Sequence, residues 1–351
     1  MSILLETVAE RYGLGGIDDQ GSVEGGYLSR NQIVGHGEDR YFLKQYRFRD
    51  EARIRAARIR AARIRAIHGA KFFFAQGDIP IILPLADVEG ETFFSCQGHS
   101  YALFPFVAGR SFVRGRLPAA ALRAMAETLA RMHRLGHQAR LPGVKTRSLG
   151  WGRKQIATFI AEVEVLQSII AAKPIKDDFD ELAAEVLQLR LTLAQQDAAE
   201  SDPLLLDADH LIHGDFHEAN LFFDDAGRVK AVFDLEKVCL WPRVLEVIRA
   251  VDFTCFSDGS QSGRAFGEEN FAAALTFLNA YHQCYPLDRA ELVNGYKNYF
   301  SKRVYGLWVE TEHYLEHNDR VDGFLSGDRY FLQYFSTNFT SFIARIVTGI
   351  F

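Results

Sequence analysis

At 351 residues, with 48% hydrophobic side chains and a formal charge of −5, the chain can build two packed units around sizeable cores. That charge argues against nucleic-acid binding, which calls for a basic surface. Cys96, Cys239, Cys255 and Cys284 show no C-x-x-C spacing, which speaks against a zinc site or a disulfide framework and for a reducing compartment.

Residues 1–10 carry Glu6 and Glu10 and no basic stretch ahead of an apolar one, so they do not read as a secretory signal. No apolar run approaches the length of a membrane span, and a soluble, cytoplasmic protein is expected. After a short opening helix, residues 21–46 are strand-like, with apolar runs separated by Gly25-Gly26 and a turn at 35–39. Tyr41-Phe42-Leu43 leads to Lys44 on the expected third strand of a small antiparallel sheet. Over residues 51–66 Ala-Arg-Ile-Arg-Ala recurs three times, and these residue types suit a helix. Five residues at about 100° each displace the repeat by about 140°, so Ile54, Ile59 and Ile64 point in three directions and the arginines encircle the helix. A binding patch gathers charge on one side, so this segment reads as a surface helix.

Residues 79–85 and 92–106 read as strands, with a hairpin at 97–99. The apolar run Leu103-Phe104-Pro105-Phe106-Val107-Ala108 ends at Gly109, a suitable hinge. Helical periodicity then covers 119–135, 155–172, 177–198, 243–256, 267–284, 288–316 and 327–347. The expected class is α+β and bilobal: a small antiparallel-sheet lobe over 1–103, a hinge over 104–110 and a larger, mainly helical lobe over 111–351.

Extended pieces at 210–235 interrupt the helices with His213-Gly214-Asp215-Phe216-His217-Glu218-Ala219-Asn220, followed by Val232-Phe233-Asp234-Leu235-Glu236. Gly, Asp and Asn suit any surface loop. Here, however, Leu211-Ile212 and Leu221-Phe222-Phe223 frame the loop, Asp225-Ala226-Gly227 turns the chain back, and Asp234 falls just past the second strand, where it can face the same ion as Asn220. This is the spacing that phosphoryl transfer needs. One carboxylate, Asp215, orients and deprotonates a hydroxyl, while the Asn220 amide oxygen and the Asp234 carboxylate hold Mg2+ on nucleotide phosphates. An ATP-dependent kinase is expected.

With those residues in view, the chain resembles the aminoglycoside phosphotransferase and choline kinase-like group, whose fold is that of protein kinases. That group carries H-G-D-x-x-x-x-N and a second metal-binding Asp after a short hairpin, matched here by His213, Gly214, Asp215, Asn220 and Asp234. The resemblance implies that Asp215 is the catalytic base or hydroxyl-positioning group, and that Asn220 and Asp234 bind Mg2+. It also implies that Lys44 meets the ATP phosphates, that Gly25-Gly26 with Ser29 forms the loop over the nucleotide, and that the hinge from Phe104 to Phe106 and Val107 presents backbone groups to adenine. His213 is expected to hold the loop, His217 to face substrate or cap the loop, Glu236 to support the metal ligands, and Glu246 to brace the catalytic loop. One departure concerns Lys44: the group places a Glu deep in the following helix, whereas only Asp50 and Glu51 lie between Lys44 and Asp78 here. Either Glu51 reaches back, or Lys44 is held by Asp234 and the nucleotide.

The acceptor is expected to be a small-molecule hydroxyl: an amino alcohol, an aminoglycoside, or a homoserine- or choline-like compound. Tyr305, Trp308 and Glu312, with Glu316 one turn on, are spaced to share a helical face. Aromatic rings and carboxylates on that face could receive a protonated amine; an ordinary amphipathic helix gives the same pattern. A polycation would draw on Glu310, Glu312, Glu316, Asp319, Asp322 and Asp328. Alternatives are an atypical Ser/Thr protein kinase, although no activation segment is recognisable after Asp234, and a non-catalytic nucleotide-binding module working through the Arg-rich helix.

Overall fold

A computed structural model of the chain describes residues 2–23, 31–46, 56–147, 153–200, 206–257 and 263–351. Five strands, β1 (Asp18–Val23), β2 (Asn31–His36), β3 (Asp39–Tyr46), β4 (Phe94–Cys96) and β5 (His99–Pro105), form an antiparallel sheet in the order β1-β2-β3-β5-β4. Period-two alternation gives the sheet two apolar faces. Val34, Leu43, Tyr101 and Leu103 lie under Leu5 and Val8 of helix α1 (Ile3–Tyr12). Phe42, Tyr46, Ala102 and Phe104 turn the other way, toward Ile64, Ile67 and Phe74 of α2 (Ala56–Ala75). Lys44, two residues from both Phe42 and Tyr46, shares that second face.

The Arg-rich repeat is helical where it is described, and its copies are not equivalent. Ile59 is 63% exposed and Ile64 fully buried, as a 140° displacement per repeat requires. Ile54 and Glu51 lie outside the described residues. The strand expected at 79–85 does not form. Ile81 makes a single parallel bridge to Val232, with Val232 N–H on Pro80 O (2.7 Å) and Ile82 N–H on Val232 O (3.0 Å). Pro80 and Pro84 have no N–H to give a ladder, so the apolar residues pack without pairing as a strand.

The C-terminal region holds helices α3 (Ala119–Gly136), α4 (Arg153–Ala172), α5 (Asp178–Glu200), α6 (Arg243–Cys255), α7 (Glu268–Cys284), α8 (Arg289–Val304), α9 (Trp308–Tyr314) and α10 (Gly323–Thr348). Between α5 and α6, β6 (His210–Ile212) pairs with β9 (Cys239–Trp241), enclosing a hairpin of β7 (Leu221–Phe223) and β8 (Val229–Val232). The expected helix over 288–316 is two helices, because the chain breaks at Tyr305-Gly306-Leu307. Glycine is a poor helix former, and fully buried Arg190 takes the carbonyls released at the break: its Nη1 donates to Arg303 O and to Val304 O (3.2 Å). Tyr305 therefore ends α8 while Trp308 and Glu312 belong to α9, and the expected common face is not a single helix face. No helix among the described residues is long and apolar enough to cross a membrane.

Candidate active site

The two halves of the motif are tied together by backbone and side-chain bonds within a few residues. His213 Nε2 donates to Phe233 O (2.8 Å) and its Nδ1 accepts from Asp215 N–H (3.2 Å), so the ring spans the two segments and has no nitrogen left over. Burial lowers its pKa, in keeping with this neutral tautomer. Gly214 has φ +84°, and a Cβ there would meet Lys237 O at 2.0 Å, so only glycine lets the two segments approach this closely. From beneath, the Glu246 carboxylate of α6, 1% exposed, accepts from the N–H groups of His213 (3.1 Å) and Gly214 and from His133 Nε2 (3.0 Å). His133 Nδ1 then accepts from the Tyr281 hydroxyl (2.8 Å).

Asp215 projects from this loop against cations. Lys237 Nζ lies 2.7 Å from Oδ2, and Arg249 of α6 pairs with Oδ1. Burial raises the Asp215 pKa, but Arg249 and Lys237 outweigh it and hold the carboxyl well below the usual range. His217 caps the short turn Glu218–Asn220 by accepting from Ala219 N–H (3.3 Å) and stacks on Phe253. Burial takes its pKa down to about 3, leaving it neutral. The Asn220 amide group donates to Asp215 O (2.9 Å), which leaves the side-chain oxygen as the atom offered outward.

Asp234 sits at φ 61°, ψ 52°, a left-handed conformation that costs a non-glycine residue about 1–3 kcal/mol. In it, Oδ1 lies 2.8 Å from Lys44 Nζ, and Glu236 Oε1 lies 2.6 Å from the same nitrogen in an ion pair that does not have hydrogen-bond geometry. Burial works against the charged lysine, but the two carboxylates raise its pKa above the ordinary value. Glu236 answers the question of the missing helix glutamate: two acids two residues apart, Asp234 and Glu236, hold Lys44. The facing helix contributes instead a buried cation, Lys71, whose Nζ donates to Ile82 O (3.2 Å) and lies 5.1 Å from the Phe104 ring centroid. Sequence reading missed Lys71. Its signal is a lone Lys between Ala70 and Phe72-Phe73-Phe74 on a helix.

Phe104 belongs to β5 and packs edge-on against His68 of α2. Phe106 N–H already donates to Arg40 O (3.2 Å), and Arg40 covers the Phe106 ring at 4.1 Å. The strand exit is fastened to the catalytic hairpin: Arg110 and Phe223 exchange backbone bonds of 2.8 and 2.9 Å, and Lys230 Nζ donates to Ala108 O (2.7 Å). Gly25, Gly26 and Ser29 lie outside the described residues. Thus Lys44 meets Asp234, Asn220 is bonded to the backbone of Asp215 and of Phe233, and Asp215 and Asp234 lie close enough to influence each other's charge, with Phe104 beside Lys71.

A sheet-bearing N-terminal region, a helical C-terminal region and this group of residues match a kinase-like phosphotransferase. The model of the phosphotransferase enzyme family (APH) matches residues 20–287, and the chain belongs to that family. No curated protein matches it in sequence. Among solved structures it is similar to spectinomycin phosphotransferase, solved with ADP and spectinomycin (17% identity over 99% of this chain and 98% of that one, TM-score 0.63). It is also similar to amicoumacin kinase in complex with AMP-PNP, Ca2+ and Ami (15%, 99% and 92%, TM-score 0.61). A third likeness is to a microcompartment-associated aminopropanol kinase (13%, 96% and 98%, TM-score 0.58). At these identities the likeness is one of fold.

Proposed function

We propose that the chain transfers the γ-phosphoryl group of ATP, with Mg2+, to a hydroxyl of a small molecule. The observation that carries this reading is the set of contacts that brings Asp215, Asn220, Asp234 and Lys44 together. In the proposed reaction the acceptor oxygen bonds to Pγ, the bond from Pγ to the bridging oxygen of ADP breaks, and the hydroxyl proton leaves toward Asp215. Held ionised by Arg249 and Lys237, Asp215 is a weak base, which suits a loose transition state that asks mainly for orientation of the hydroxyl.

Asn220 and Asp234 offer hard oxygen ligands and would hold Mg2+. The amide oxygen is left outward by the bond of its NH2 group to Asp215 O, and Mg2+ is commonly held by one or two protein ligands plus phosphates. When bound, the ion would offset the negative charge of the nucleotide phosphates. Lys44, now on Asp234 and Glu236, is proposed to take phosphate oxygens in exchange. Residues 104–107 are proposed to border adenine, with 1–103 and 111–351 as lobes about a 104–110 hinge, and Gly25, Gly26 and Ser29 to cover the phosphates.

Acceptors of low molecular weight are supported by relatives named for spectinomycin, amicoumacin and aminopropanol. A protein acceptor is disfavoured because the chain passes from Asp234 through a single turn and β9 directly into α6, without room for an extended activation segment. The test is ADP release with ATP, Mg2+ and a panel of alcohols. Asp215→Asn is expected to lower turnover by about 10²–10⁴ while nucleotide affinity holds; near-normal turnover in that variant refutes the assignment.

A further inference from the structure

Lys237 and Arg249, which pair with Asp215, belong to a larger gathering of positive charge. Trp241, buried on β9, has Lys302 Nζ 4.7 Å from its ring centroid and Arg147 Cζ 5.1 Å from it. Lys302 comes from the last turn of α8, Arg147 from the chain ahead of α4, Arg249 from α6, and Lys237 from the turn after Asp234. Lys237 and Arg249 share the single carboxylate of Asp215, and neither Lys302 nor Arg147 pairs with an acid among the described residues. Two buried donors, Arg249 Nη1 and Trp241 Nε1, have no acceptor among the described residues. A buried donor left without an acceptor is destabilising. Burial lowers the Lys302 pKa to about 7, and its strongest electrostatic neighbours, Arg147, Arg249, Arg303 and Lys237, are all cations.

Four of the six acids that a polycationic acceptor would draw on are meanwhile engaged within the protein. Glu310 is buried on Arg190 (3.1 Å), and Asp328 pairs with Arg190 and Arg303. Glu312 accepts from Asn318 (2.9 Å), and Asp322 pairs with His313 (2.9 Å). Glu316 and Asp319 face solvent.

We propose that the phosphoryl acceptor is a small anionic alcohol, whose carboxylate or phosphate ester seats among Lys302, Arg147 and Arg249 while its hydroxyl reaches Asp215. This rests on the reading of Asp215 as the hydroxyl-binding group and assigns the charge of the substrate at that site. An oxyanion there meets the unused donors of Arg249 and Trp241 and relieves the repulsion around Lys302, whereas a protonated amine would add to it. Lys302 acts as a specificity residue and Asp215 as the group that meets the reacting hydroxyl.

Two measurements test this with the full chain. In the first, ADP and Mg2+ are present at saturation, and thermal unfolding is followed with malonate, inorganic phosphate or serinol at pH 7. Malonate or phosphate is expected to raise Tm in the parent and to lose about tenfold or more in apparent affinity in Lys302→Met, with serinol inert. The arm that responds tells a carboxylate from a phosphate ester. Anions that act only when nucleotide is omitted would assign the cluster to the nucleotide phosphates and overturn the proposal, as would an unchanged response in Lys302→Met. In the second, turnover is compared for glycerol, serinol, glycerate and glycerol 3-phosphate. An anionic acceptor is expected to lead, with Lys302→Met raising its KM about ten- to hundredfold and leaving the KM for ATP unchanged. If serinol or glycerol leads and Lys302→Met has no effect while Asp215→Asn is inactive, the anionic acceptor is refuted and the kinase reading stands. If Asp215→Asn keeps full turnover, it is the kinase reading that fails.

Discussion

Replacing Glu246 with Gln exchanges one oxygen for an NH2 group at a carboxylate that organises the whole catalytic loop. One oxygen, Oε1, accepts from Gly214 N–H, while Oε2 accepts from His213 N–H (3.1 Å) and His133 Nε2 (3.0 Å). A glutamine can keep its oxygen in only one of these positions. With the oxygen at the Oε2 place, its NH2 group faces the Gly214 N–H, donor against donor, in a site with the carboxylate 1% exposed. One charge-assisted bond is lost, at about 1.5–3 kcal/mol, and the two that remain weaken to neutral ones. Burial favours the uncharged Glu246, but the bond from His133 and the loop N–H groups hold its pKa below the ordinary value, so the charged form is the one being lost. The expected cost in urea unfolding is about 3 kcal/mol. Because Gly214 adjoins Asp215, kcat should fall at least about tenfold, a 1 Å misplacement being enough for such a loss. Retained activity with a stability change below about 1 kcal/mol would show that the loop holds its shape through its own bonds, and the bracing argument would fail.

Other substitutions probe the same architecture. Gly214→Ala combines a left-handed φ with a Cβ 2.0 Å from Lys237 O, so the motif segments must separate; activity should fall by more than stability, and equal kcat in the variant would contradict the close approach. Lys71, 4% exposed, has its pKa lowered from 10.5 to about 7, first by burial and then by Lys44, which corresponds to a penalty on the order of 4 kcal/mol at pH 7. That penalty is complete below pH 7 and fades as pH rises toward 10.5, because over that window the unfolded chain binds the extra proton. Lys71→Met, which also loses the bond to Ile82 O, should stabilise the protein by about 2 kcal/mol at pH 7 and by progressively less up to pH 10. A pH-independent difference between the two chemical-unfolding curves would refute the assignment.

Elements governed by near neighbours were legible in the chain. The alternation that places Lys44 on the face of Phe42 and Tyr46 is visible in six residues, and helices α3, α4 and α7 follow their periodicity closely. The apolar run at 79–85 misled because Pro80 and Pro84 remove ladder donors that hydrophobicity alone does not weigh. The run at 288–316 misled because the break at Gly306 is completed by Arg190, more than a hundred residues upstream, which takes the carbonyls the break releases. Lys71 escaped notice for a related reason: a lone Lys on an apolar helix gains its meaning only when Phe104 and Ile82 are brought against it.

What the sequence determined by itself is the chemistry. Asp215, Asn220 and Asp234 lie within twenty residues on a loop and a hairpin, so their spacing along the chain is already close to their arrangement in space. Tertiary structure decided which groups restrain and select. Glu236 holds Lys44 in place of a helix glutamate, and Arg147 and Lys302 meet over the Trp241 ring from distant segments. Such meetings depend on how helices pack, and no local period or spacing encodes them, so this gathering of charge emerges only once the chain has folded.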